Sequence, residues 1–100
     1  MQQIEAVIQP FKLNEVRSVL EEMGIEDFME SPIRCHTPLG RQAMRFRGAR
    51  FVANIVEKVK LEVVAADEAV GKIVEAIGSS ARTGNREDCR IAVRPYLEML

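Results

Sequence analysis

The stretch VKLEVVAADEAVGKIVEAIG, Val59 to Gly78, is an alternating strand that runs directly into a helical pattern. Residues 59–65 place apolar side chains at the spacing of a strand. Asp67 then stands where an N-cap is expected, and Val70, Ile73, Val74 and Ile77 form an apolar stripe that ends at Gly78. The same plan occurs upstream. Residues 3–9, QIEAVIQ, alternate, and Val16, Val19, Leu20 and Met23 recur at helical spacing before a stop at Gly24.

The two stripes match position for position, and a weaker strand pattern follows each helix, at residues 28–33 and 89–93. Two β-α-β units in succession fold most simply into an α+β, ferredoxin-like sandwich: a four-stranded antiparallel sheet with both helices on one face. Residues 1–100 then form a single domain, and its bare sheet face needs a cover. A chain of this length buries only roughly 60% of its unfolded surface, so oligomerisation is the expected cover.

With 47% hydrophobic and 29% charged residues the chain has a globular balance, and a formal net charge of -1 excludes a uniformly basic surface. The N-terminal residues lack a basic segment followed by an apolar run, and no apolar stretch approaches the ~18 residues of a membrane span. Cys35 and Cys89 form no C-x-x-C pair. A reduced, cytoplasmic setting without membrane insertion is expected.

Residues 34–54 interrupt the duplicated pattern. They contain no acid, while Arg34, Arg41, Arg45, Arg47 and Arg50 all fall there, so the segment suits an anion or an acidic partner surface. A connection this long in a small domain points to function. One reading is a single-stranded RNA-binding module, because residues 47–54 partly fit an RNA-recognition motif on the same β-α-β-β-α-β order. Ala49 and Asn54 stand where stacking rings belong, which leaves Phe51 alone and argues against nucleic acid. A third reading, a small trimeric metal-responsive protein, rests on Cys35 and His36, short of the three or four ligands that zinc requires. No metal site, catalytic constellation or enzyme activity is expected.

Residues 81–90, ARTGNREDCR, are more informative. Between a helix and a strand they gather Thr83, Gly84, Asn85 and three arginines, and exposed backbone N–H groups beside guanidinium forks suit a phosphate. A plain charged loop with Gly84 as terminator fits the same composition.

At these motifs the chain resembles the PII nitrogen-regulatory signal proteins. IEAVIQPFKLNEVRSVLEEMGI is similar to their first strand and helix, GRQ and RFRGARF to their T-loop at residues 34–54, KVKLEVV to a later strand, and SARTGNREDCRIAV to their B-loop at residues 81–90. The resemblance implies a homotrimer that binds an adenine nucleotide in clefts between subunits and controls a target enzyme, transporter or regulator through the T-loop. Arg82, Thr83, Gly84, Glu87, Asp88, Cys89 and Arg90 fall on the phosphate-holding motif. Val64 falls where a strand meets the adenine. Gly40, Arg41, Gln42, Arg45, Arg47 and Lys58 fall on the effector-responsive set.

Departures from the pattern refine these expectations. Glu87 and Cys89 replace glycines that let a backbone approach phosphate closely, and Arg90 replaces a lysine with a planar fork. The family's C-terminal loop is largely absent before Leu100, which favours ADP or AMP over ATP. Gln42 is displaced, which argues against the 2-oxoglutarate site. Phe51 stands for the tyrosine uridylylated in some members, and Phe46 for a neighbouring one, so no modification is expected. The resemblance leaves nitrogen regulation beside a carboxysome-associated branch that answers to bicarbonate.

Overall fold

The computed structural model describes residues 1–36, 45–46, 49–50, 55–85 and 88–98. In order, the chain forms β1 (Gln2–Ile8), a 3-10 turn (Pro10–Lys12), α1 (Leu13–Glu22), β2 (Met29–His36), β3 (Arg45–Phe46), β4 (Ala49–Arg50), β5 (Ile55–Ala65), α2 (Asp67–Ala81) and β6 (Cys89–Pro95). The main sheet runs β2-β5-β1-β6, with every adjacent pair antiparallel. This is the ferredoxin-like arrangement that the duplicated pattern predicts.

Alternation explains the core. Ile4, Ala6 and Ile8 of β1 and Leu61, Val63 and Ala65 of β5 point to one face, where Val16 and Leu20 of α1 and Ile73, Ile77 and Ala81 of α2 close over them. Each large apolar side chain buried this way contributes about 1.5–3 kcal/mol. The opposite face carries Gln3, Glu5, Val7, Lys60, Glu62, Val64, Arg90, Ala92 and Arg94, tied by Gln3 Nε2 to Glu62 (2.9 Å), Lys60–Glu62 (3.3 Å) and Arg94–Glu5 (3.0 Å).

Local chemistry sets the helix ends. Pro10 opens the 3-10 turn, where its missing N–H costs nothing. At the end of α1, Gly24 adopts φ +79, its N–H bonds Glu21 O at 2.9 Å, and Ile25 N–H bonds Leu20 O at 2.9 Å, a Schellman closure.

Several sequence expectations are corrected. Ala66, not Asp67, is the N-cap of α2; Asp67 is the first helical residue, and its carboxylate meets the N-terminal ammonium at 3.2 Å. Gly78 does not end α2, because Ala81 is buried and the helix gains a further turn by covering β6. Met23 is exposed, since α1 has already ended at Glu22. The segment expected to begin at Arg34 begins later: Arg34, Cys35 and His36 stay in β2, paired with Glu57, Val56 and Ile55. Within it, β3 and β4 pair antiparallel, Arg45 opposite Arg50 and Phe46 opposite Ala49, a ribbon that the sequence pattern did not announce.

Candidate functional site

Residues 82–85 leave the end of α2, and Asp88 leads into β6 at an edge of the sheet. Arg82 N–H caps Gly78 O at 3.0 Å, and Asn85 N–H donates to Thr83 Oγ1 at 3.0 Å. The Thr83 hydroxyl in turn donates to Asp88 Oδ2 at 2.5 Å, the short range of an O–H bonded to a carboxylate. Asp88 N–H donates to Asn85 O at 3.1 Å, and Gln9 Nε2 reaches Asp88 Oδ1 at 2.7 Å. Both Asp88 oxygens are thereby occupied by protein donors.

An open cavity lies on each side of β6. The helix-side cavity, about 350 Å³, is lined by Gly78, Arg82, Thr83, Gly84, Asn85, Cys89 and Ile91. The open-face cavity, about 440 Å³, is lined by Glu5, Val7, Arg90, Ile91 and Ala92, with Val7 and Ala92 presenting apolar side chains between Glu5 and Arg90. Both volumes lie within the ~300–1,000 Å³ usual for ligand pockets.

The phosphate set read from the sequence is therefore divided. Arg82, Thr83, Gly84 and Cys89 line one cavity and Arg90 the other, because successive residues of a strand point to opposite faces. Asp88 acts as an acceptor that closes the loop, and Thr83 commits its hydrogen to it. Val64 lies on the open face of β5, opposite Gln3, outside both cavities. Lys58 is only 6% exposed. One residue past the Ile8 register with Val59 and Cys89, Gln9 lies level with Lys58 on one side and Asp88 on the other.

The electrostatics follow this geometry. The Thr83 hydroxyl foremost, then the Gln9 amide, hold the Asp88 carboxyl below its ordinary value against an opposing desolvation, and the charge of Lys58 adds a smaller lowering. Burial pushes the Cys89 thiol up, partly offset by the Arg82 guanidinium. Cys89 is thus a neutral thiol at pH 7.

Gly40, Arg41, Gln42, Arg47, Phe51 and Glu87 lie outside the described residues, as do the side chains of Arg45 and Phe46. Cys35 and His36 sit at the end of β2, and no group of three His, Cys, Asp or Glu able to hold a metal occurs among the described residues. No helix of the described residues is long and apolar enough to cross a membrane. Sequence reading missed Gln9, Glu5, Val7, Gly78 and Ile91. Glu5 and Val7 sit in a strand whose open face looks like ordinary alternation until its neighbours are known, and Gln9 follows directly after it.

The class is an α+β, ferredoxin-like subunit with a bare sheet face, a long connection between its halves and an arginine-bearing loop at one sheet edge. The comparisons name the family. The sequence profile described as "Nitrogen regulatory protein P-II" matches residues 1–96. A nitrogen regulatory protein P-II of Azospirillum brasilense is 40% identical over 103 residues, covering 100% of this chain and 89% of that protein. One from Nostoc punctiforme is 34% identical over 100 residues, with the same coverage of 100% and 89%. Another, from Pasteurella multocida, is 40% identical over 96 residues, covering 93% of this chain and 83% of its own. The chain belongs to the nitrogen regulatory protein P-II family.

Proposed function

We propose that this P-II family protein is a cytoplasmic, homotrimeric signal-transduction protein that binds an adenine nucleotide, ADP, AMP or ATP, between subunits. It is a regulator and not a catalyst, and it controls an enzyme, transporter or other target through the segment between β2 and β5. The observation that carries the reading is the open-face cavity, where Arg90 borders the apolar side chains of Val7 and Ala92 on a sheet face that one subunit leaves bare. An apolar floor suits a nucleobase, and a guanidinium fork suits its phosphates. A second subunit laid on this face completes a cleft around both.

Gly84 adds support. Its φ lies outside the left-handed region, and among the described residues a Cβ there meets no atom within 4 Å. The fold of one subunit makes no demand for glycine at this position, whereas close approach of a phosphate to the backbone does. Bicarbonate is the small anion that suits the acid-free segment of residues 34–54, with 2-oxoglutarate as the nitrogen-linked alternative.

Calorimetric titration with AMP, ADP and ATP, each with and without bicarbonate or 2-oxoglutarate, tests the reading, with light scattering for the trimer. ADP binding is expected, and Arg90→Ala weakens it by about 1.5–3 kcal/mol, the range for a hydrogen bond to a charged group. If no adenine nucleotide binds in any combination, the reading is wrong. Unchanged ADP affinity in Arg90→Ala moves the phosphates away from Arg90.

A further inference from the structure

The loop that lines the helix-side cavity is closed on itself by three hydrogen bonds: Asn85 N–H to Thr83, the Thr83 hydroxyl to Asp88, and Asp88 N–H to Asn85. These give the loop a shape but do not place it on the sheet. A bond from outside the loop runs from Gln9 Nε2 to Asp88 Oδ1, at 2.7 Å. Gln9 is a firm anchor. It follows β1, which is paired on both sides, directly after the fully buried Ile8. Pro10 follows with its fixed φ, and the Gln9 carbonyl accepts Lys12 N–H at 3.0 Å.

Asp88 is also the residue that leads into β6, two positions before Arg90. A side chain that fixes Asp88 therefore fixes how the loop residues bonded to it, Thr83 and Asn85, sit relative to Arg90, which strand pairing holds opposite Val7. Groups that bind phosphate contribute fully only when held within about half an ångström of their working geometry by a second layer of contacts.

We propose that Gln9 is a positioning residue for the nucleotide's phosphates, acting through Asp88 to hold residues 82–85 in place beside Arg90. The inference rests on the nucleotide reading above. Its chemistry is specific: the side chain at position 9 must donate a hydrogen bond to a carboxylate, so an acceptor of the same shape fails and a different donor succeeds.

Three proteins decide it: the wild type, Gln9→Glu and Gln9→Lys, each titrated with ADP and each followed by the amide resonances of Asn85 and Asp88. Gln9→Glu keeps the shape, removes the donor and faces Asp88 with a like charge; it is expected to weaken ADP about tenfold, the scale of one charge-assisted hydrogen bond, and to shift both resonances. Gln9→Lys restores the donor, and both affinity and resonances return towards the wild type. A wild type that binds ADP beside a Gln9→Glu variant that binds it equally well overturns the role of Gln9 alone. Failure of Gln9→Lys to recover what Gln9→Glu loses overturns the donor argument. If the wild type binds no nucleotide, the nucleotide reading and this inference fall together, and the resonances then report only whether Gln9 holds the loop.

Discussion

The two β-α-β halves share a helical stripe and a glycine at its end, yet they use that glycine in opposite ways. Gly24 takes a left-handed φ of +79 and turns the chain out of α1 through a Schellman closure. Gly78 stays helical and buried, and a Cβ there meets Arg82 Nη2 at 3.3 Å and Ile91 Cδ1 at 3.9 Å. The extra turn of α2 that follows carries residues 82–85 to the end of β6, where both cavities form. A common stripe fixes how each helix meets the sheet. What the chain does after the stripe makes one half scaffold and the other half site.

The equivalence of the two stripes is the part most open to attack. Leu20→Ala in α1 and Ile77→Ala in α2 each remove a fully buried side chain, and each should lower the unfolding free energy by about 2–5 kcal/mol in chemical denaturation. A loss in one half far smaller than in the other breaks the symmetry of the core.

The glycines sharpen the contrast at a smaller scale. Gly24→Ala forces a side chain into left-handed backbone and should cost about 1–2 kcal/mol. Gly78→Ala gains helix propensity and displaces only the flexible tip of Arg82, so its stability should stay within about 1 kcal/mol of the wild type. Equal drops in the thermal midpoint would show that both glycines serve the same end.

The hydrogen-bonded loop of the second half adds a pH dependence. Asp88 is held below its ordinary value of 3.8, so on acidification the unfolded chain takes up its proton first. The stability it contributes is fully present at neutral pH and is lost as pH falls below about 3.8 and through the folded value. Denaturation followed between pH 6 and pH 2 should show a weaker acid dependence in Asp88→Asn than in the wild type; identical profiles would count against the hydrogen bonds from Thr83 and Gln9.

The smallest effect is chemical. Cys89 is held as a neutral thiol, so iodoacetamide at neutral pH should label it more slowly in the folded protein than in denaturant. Equal rates would mean that the helix-side cavity does not shield it.

Much of this molecule is legible in its sequence because the information is local. The alternation of residues 59–65, the stripes of Val16 and Leu20 and of Ile73 and Ile77, and the stop at Gly24 depend on neighbours within a few positions, and burial of one face rewards them directly. The site was legible only in part. Arg82, Thr83, Gly84, Asp88 and Arg90 follow one another closely, but nothing in that order says that β6 sends Arg90 to one face and Cys89 to the other.

The sequence by itself determined the two β-α-β units, their shared core stripe and the family they belong to. Only the tertiary structure decided that Gln9 lies level with Lys58 and Asp88, and that β6 has a cavity on each of its faces. The physical reason is register: periodicity fixes which face a residue takes within its own strand, while strand pairing fixes which distant residue stands beside it.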